Sequence, residues 1–145
     1  YIGDWSSDVC SSDLVFERCN YAIKRINDGF YGFDLYGYDS LQYTTYEEGG
    51  VFDWHSDLLY GLSLGNTKNQ DTRKLSVVML LNEPDVDFTG GDFLVTTGKE
   101  SDAEKIQFQK GMLLAFPSFM IHKVTPILSG VRKSLVIWVE GPKFR

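Results

Sequence analysis

Only two histidines occur in the chain. One lies in Asp53-Trp54-His55-Ser56-Asp57; the other, His122, lies in Ile121-His122-Lys123-Val124, ten residues before Arg132. In an extended strand, side chains two positions apart leave on the same side, so His55 and Asp57 present an imidazole and a carboxylate to one point. A metal ion is the natural occupant, and it needs a third ligand from elsewhere. His122 is that candidate. The fold must then bring the segment near residue 55 beside the segment near residue 122. Two histidines and one carboxylate form a facial set that suits ferrous iron and leaves coordination positions open.

The rest of the chain reads as short strands. Val15, Phe16, Cys19, Ala22, Ile23 and Ile26 recur at helical spacing. This predicts one amphipathic helix over Val15 to Asn27, packed on a sheet. After Asn27-Asp28-Gly29 the period changes. Phe30–Tyr36, Ser40–Glu47, Val51–Leu58, Leu75–Leu81, Asp92–Thr97, Lys105–Gln109, Met112–Phe116, Ile121–Thr125 and Lys133–Glu140 are short and rich in β-branched and aromatic residues. Turn signals such as Glu48-Gly49-Gly50, Gly90-Gly91, Lys110-Gly111 and Ser129-Gly130 separate them. Many short strands at this spacing predict a mainly β sandwich or jelly roll rather than a βαβ fold. Leu59 to Thr72 is too long and polar for a hairpin turn, and next to H-x-D it is read as either a lid or a plain loop.

The first residues differ in character. Asp4 to Leu14 resembles the in-frame translation of a sequencing-adapter oligonucleotide. Tyr1 to Leu14 is therefore read as a fused artefact outside the fold, with the native N-terminus missing, and 15–145 as one domain. Excluding Asp4, Asp8 and Asp13 changes the net charge from −6 to −3. Neither value favours a nucleic-acid partner, which usually shows a basic patch. With Cys10 set aside, Cys19 alone makes no intramolecular disulfide, and no C-x-x-C spacing occurs. No apolar run approaches the ~18 residues that a membrane span needs. The expectation is a soluble cytoplasmic domain with no membrane partner and no oligomeric state set by the sequence.

Over roughly Val15 to Arg145, and most specifically from Leu41 onward, the chain resembles the iron(II)- and 2-oxoglutarate-dependent dioxygenases of the prolyl 4-hydroxylase-like group. The motifs that carry the resemblance are Tyr43-Thr44-Thr45-Tyr46-Glu47-Glu48-Gly49, the His55-Ser56-Asp57 triplet, His122 and Gly130-Val131-Arg132. It implies a double-stranded β-helix (jelly roll) with one flanking N-terminal helix, and His55, Asp57 and His122 as ligands of Fe(II). It further implies that Arg132 takes the distal carboxylate of 2-oxoglutarate, with Tyr46 reaching the same cosubstrate. A dianion held at one end by iron needs a cation at the other, best supplied as a planar fork. Ser134, on the face of Arg132, is a candidate for an added hydroxyl. Dioxygen is the other cosubstrate, and ascorbate a candidate reductant.

Isolated, a His-Ser-Asp triplet is an ordinary surface turn and a His-Lys-Val an ordinary strand; Arg132 and Tyr46 in register make the iron reading. Tyr43 is read as core or substrate wall, and Trp138 as packing rather than pocket floor. Thr89-Gly90-Gly91-Asp92-Phe93 is read as a turn that lets backbone approach closely. Phe116-Pro117-Ser118 is read as the turn delivering the His122 strand. Three competitors share parts of this pattern. A cupin-like protein would ordinarily carry H-x-H where His55-Ser56-Asp57 stands. A zinc hydrolase could use the same three ligands, but needs neither Arg132 nor Tyr46 at these spacings. A non-catalytic metal-binding jelly-roll module is the third; an intact triad argues against a plain binding module, because a buried carboxylate between two imidazoles is costly to retain without a metal.

The nucleic-acid demethylase branch typically has a second arginine where this chain has Trp138. The resemblance therefore implies hydroxylation of an aliphatic C–H, in a small molecule or in a peptide or protein, with a peptidyl proline as one candidate. Fold and branch alone do not fix a substrate.

Overall fold

The computed structural model of the protein describes residues 11–58 and 71–144. Helix α1 (Ser11–Ile26) starts four residues ahead of the expected Val15. A single π-helical turn, Asn27–Tyr31, follows and is closed by Gly32 in the left-handed region. The expected strand over Phe30–Tyr36 does not form. The Asn27 side chain takes both backbone groups of Phe33, donating to its carbonyl at 2.8 Å and accepting its N–H at 3.0 Å. With those groups bound locally, that part of the segment has no free edge to offer a ladder.

Among the described residues ten strands follow: β1 (Gly37–Tyr46), β2 (Phe52–His55), β3 (Asp71–Leu80), β4 (Phe88–Gly90), β5 (Phe93–Thr96), β6 (Glu104–Ile106), β7 (Leu113–Pro117), β8 (Ile121–Val124), β9 (Ile127–Gly130) and β10 (Arg132–Pro142). They form two four-stranded sheets, in the orders β1-β10-β3-β7 and β2-β8-β5-β6, and a β4-β9 pair. Every pairing of these strands is antiparallel. This is the expected jelly roll, with α1 on the outer face of the first sheet. The β4-β9 pair was not expected, because Gly90 and Ser129-Gly130 read as turns and both strands are very short.

Strand β10 shows how the layers are built. Leu135, Ile137 and Val139 point outward and form one core with Cys19 and Ile23 of α1 and with Leu75 and Val77 of β3. Arg132, Ser134, Val136 and Trp138 point inward and line a cavity between the sheets. A second core, Val78, Phe93, Phe116 and Val124, fills the space between the sheets. Because both faces of β10 are covered, its sequence is apolar on both parities rather than alternating. Tyr43 shares the outer face with its pairing partner Leu135 but is exposed, so it is neither core nor substrate wall. The Leu59–Thr72 loop lies almost wholly outside the described residues; only Asp71 and Thr72 are seen, opening β3.

Outer-face packing therefore carries much of the fold's stability. Ile137→Ala should cost about 2–5 kcal/mol in urea unfolding. Tyr43→Ala, on the same face but solvated, should cost about 0.5 kcal/mol or less. Equal losses at the two positions would contradict this assignment of the core.

Candidate metal centre

His55 is the last residue of β2 and stands directly opposite His122 of β8. The register between these strands shifts between Phe52 and His55; such bulges turn side chains away from strict alternation. β2 stops at His55, so the expected strand to Leu58 is shorter than the pattern suggested. Asp57 is placed instead by its own backbone, whose N–H donates to the Ser118 carbonyl at 2.9 Å. The three side chains converge, with ligand atoms all within 4.8 Å of one another. His55 Nε2 is 3.6 Å from one Asp57 oxygen and His122 Nε2 is 3.6 Å from the other.

The far nitrogens fix the tautomers. His55 Nδ1 is 2.7 Å from the Asp53 carbonyl and His122 Nδ1 is 3.1 Å from the Met120 carbonyl. A carbonyl only accepts, so in each ring Nδ1 carries the proton and Nε2 offers its lone pair to the centre. Phe93 stacks on the His122 ring and Phe116 meets it edge-on, while Phe52 packs against His55. Two neutral imidazoles and one carboxylate, held this way, fit a divalent cation with positions left open.

Burial alone would push the Asp57 carboxyl up. The polar groups that face it, His55, Ser76, His122 and Trp138, outweigh burial and bring Asp57 down to about 2. Burial also opposes the His55 imidazolium, but its bonds to Asp57 and the Asp53 carbonyl raise it overall. His122, more deeply buried, is lowered by desolvation. Asp57 thus contributes stability above the ordinary carboxylate range that is lost as pH falls toward about 2. For His55 the sign is opposite: its contribution is present below 6.5 and lost as pH rises through its raised value.

Across the cavity lies Arg132, only 2 % exposed. Nη1 donates to Ser134 Oγ at 3.2 Å, and the guanidinium carbon lies 5.9 Å from the Tyr46 ring centroid. Among the described residues no carboxylate pairs with it. A guanidinium has five donors, and burying it with one modest bond is costly unless an anion is supplied. Tyr46 pairs with Arg132 across β1 and β10. Burial raises its phenol against the pull of Arg132 and with the help of Asp57, which keeps it a donor. Room for the arginine comes from Gly91, which has a φ of +64°. A Cβ there would fall 2.4 Å from Ile127 Cδ1 and 3.0 Å from Arg132 Cδ.

The structure therefore brings His55, Asp57, His122, Arg132, Tyr46 and Ser134 to one cavity of about 540 Å³. It also places there residues that sequence reasoning missed or misread. Trp138 lines the cavity rather than merely filling the interior, and its indole N–H is buried with no partner at bonding distance. The Arg73 guanidinium lies 4.1 Å from the Trp138 ring centroid, and its Nε donates to Asp39 at 2.7 Å. Strict alternation from Leu75, which faces α1, would have sent Arg73 outward too. The register of β3 against β10 shifts at Lys74, pairing Arg73 with Glu140, and this returns Arg73 to the inner face. Gln42 and Thr44 line the cavity as well; they follow from alternation with Tyr46.

A metal bound here must displace the His55 proton. Mn(II) affinity should rise by about tenfold per pH unit on the acid side of the His55 value, which lies above 6.5, and level off beyond it. Calorimetric titration of Mn(II) across this range checks the slope; an affinity independent of pH would contradict the assignment of His55.

Comparison with known proteins matches this geometry. The family profile of the 2OG-Fe(II) oxygenase superfamily matches residues 41–140. A PKHD-type hydroxylase of Synechococcus sp. (strain CC9605) is 31% identical over 102 residues, which cover 70% of this chain and 42% of that protein. A PKHD-type hydroxylase of Alteromonas mediterranea is 26% identical over 99 residues, covering 68% of this chain and 42% of the relative. The chain thus spans less than half the length of these curated relatives. Among solved structures, a Pseudomonas putida prolyl-4-hydroxylase superposes with a TM-score of 0.67 at 20% identity, over 94% of this chain and 70% of that one. A prolyl hydroxylase from Trichoplax adhaerens, in complex with a hypoxia inducible factor peptide fragment, gives 0.63 at 21% identity, over 86% and 54%. At such identities these structures speak for the fold alone. The profile spans well over half of the chain, including the triad, Tyr46 and Arg132, and the chain belongs to the 2OG-Fe(II) oxygenase superfamily.

Proposed function

We propose that this domain is an Fe(II)- and 2-oxoglutarate-dependent dioxygenase that hydroxylates an aliphatic C–H, with a peptidyl proline as substrate. The overall change balances as 2-oxoglutarate, dioxygen and R–H giving succinate, carbon dioxide and R–OH. One observation carries the reading. The cavity that gathers a two-histidine, one-carboxylate set also contains a buried guanidinium with no acidic partner among the described residues. A divalent metal alone would not call for that cation; a metal together with a dicarboxylate would.

His55, Asp57 and His122 would hold the iron, whose chemistry when bound is the activation of dioxygen at the expense of the 2-oxo acid. Arg132 would take the distal carboxylate through its planar fork, with Tyr46 and Ser134 as further donors to the same group. Val78, Phe93, Val124 and Val136 give the cavity an apolar part of its wall. The protein's contribution is orientation and exclusion of solvent. Arg73 and Trp138 make another part of the cavity wall.

A peptide substrate is supported by the similarity to PKHD-type and prolyl hydroxylases, and by a structural neighbour solved with a peptide. The acidic balance of the chain supports a target other than nucleic acid. Among the described residues no helix is long and apolar enough to cross a membrane, and we place the domain in the cytoplasm.

The test is substrate-stimulated succinate formation from 2-oxoglutarate, with ferrous iron and proline-containing peptides. Arg132→Ala in the iron-loaded protein should weaken 2-oxoglutarate by about ten- to a hundredfold, because a charge-assisted hydrogen bond is worth about 1.5–3 kcal/mol. Arg132→Lys should lose less, since the charge stays and only the fork is removed. Unchanged affinity in Arg132→Ala would show that the carboxylate is held elsewhere.

A further inference from the structure

Arg132 carries the proposed cosubstrate contact, yet among the described residues its guanidinium makes only one hydrogen bond, to Ser134 at 3.2 Å. A side chain tethered so lightly is aimed mainly by the main chain that bears it. Arg132 is the first residue of β10 and follows closely on Gly130, whose φ is +75° and where a Cβ would collide with the Asp87 carbonyl. On one side Arg132 is paired with Tyr46 of β1. On the other side the β3 ladder ends before reaching it, at the Leu80–Ser134 pair. The next backbone bond runs from the Leu81 N–H to the Lys133 carbonyl at 2.9 Å. Continued by two residues, the same register sets Asn82 opposite Arg132.

Here a side chain takes over from the backbone. Asn82 Nδ2 donates to the Val131 carbonyl at 2.6 Å, and Asn82 Oδ1 accepts the Lys133 N–H at 2.9 Å. In an antiparallel ladder such groups are taken by the peptides of the facing strand. One carboxamide, with a donor and an acceptor on a single planar group, supplies both; a carboxylate lacks the donor and a hydroxyl is too short to span them. The two bonds fall on the two peptides that adjoin Arg132, the residue of β10 with least of its own to aim it. Asn82 is itself fixed by the turn that follows. The Asp87 carboxylate accepts the Glu83 N–H at 2.7 Å, and the Asp87 N–H donates to the Glu83 carbonyl at 2.9 Å. Gly130 packs on that same Asp87, so the β3–β4 and β9–β10 turns hold each other where β10 begins.

We propose that Asn82 is a positioning residue for cosubstrate binding: its carboxamide clamps the peptides on either side of Arg132 and so sets the guanidinium where the distal carboxylate of 2-oxoglutarate needs it. A planar fork meets a carboxylate with two parallel bonds only in a set orientation, and a displaced main chain carries the fork away from it. The proposal rests on the cosubstrate reading given above.

Calorimetric titration of the Mn(II)-loaded chain with two ligands tests it. 2-Oxoglutarate has a distal carboxylate for Arg132; oxalate offers a metal two oxygens and has none. Asn82→Ala should weaken 2-oxoglutarate by about three- to tenfold, a part of the loss expected for Arg132→Ala. Oxalate, and Mn(II) itself, should bind within about twofold of the unsubstituted protein. In an Arg132→Ala background, Asn82→Ala should produce no further loss of 2-oxoglutarate, since the group it aims is gone.

A general loosening of the sheet would not separate the two ligands. The proposal is overturned if Asn82→Ala binds 2-oxoglutarate within about twofold of the unsubstituted protein, or if oxalate weakens as much as 2-oxoglutarate does. Should Asn82→Ala fail to fold, Asn82→Ser is read by the same two ligands; if neither folds, the amide is a stability element and the claim falls. Arg132→Ala tests the cosubstrate reading separately. Unchanged 2-oxoglutarate there sinks that reading and this proposal with it, whereas a loss there with none in Asn82→Ala sinks this proposal alone.

Discussion

A carboxylate taken out of water must be compensated, and Asp57 is where this fold meets that demand. Its side chain is 7 % exposed, yet its acidity lies at about 2, in the direction opposite to what burial alone would give. The compensation comes from several elements at once: His55 from β2, His122 from β8, Ser76 from β3 and Trp138 from β10. Three of these lie far from Asp57 in sequence, and only closure of the two sheets brings them together. The charge centre and the sheet topology therefore depend on each other.

The second buried charge, Arg132, stands on the opposite sheet and has little compensation of its own. The two charges bracket a cavity whose remaining wall includes valines and phenylalanines. On the proposed reading, a dicarboxylate spans this gap, one end at the metal and the other at the arginine. Gly91 matters here because a side chain at that position would occupy the space of the Arg132 stem. Burying an arginine with a single serine bond makes physical sense in a cavity built to receive an anion.

Much of this was legible in the sequence because it depended on local pattern. The alternation in β10 put Arg132, Ser134 and Trp138 on one face, and the H-x-D triplet with one distant histidine required β2 and β8 to meet. What escaped depended on departures from pattern. The bulge at Lys74 turned Arg73 inward, and the Asn27 side chain captured Phe33 and removed an expected strand. The β4-β9 pair hid behind glycines that also mark turns. Trp138 was placed on the correct face, but whether it packs or lines a cavity depends on what stands opposite, which no single strand reveals. The Asn82 bonds join what reads as a turn asparagine to the β10 backbone, a contact that exists only once β3 and β10 are paired.

The central claim is that one cavity holds a divalent metal at His55, Asp57 and His122 and a 2-oxo dicarboxylate between that metal and Arg132. An anaerobic crystal structure with Mn(II) and 2-oxoglutarate tests it most directly. The account predicts bonds from Mn(II) to Nε2 of both histidines and to an Asp57 oxygen, with the far carboxylate of 2-oxoglutarate on the Arg132 guanidinium. Metal bound away from the triad, or a carboxylate that leaves Arg132 without an anion, would contradict it.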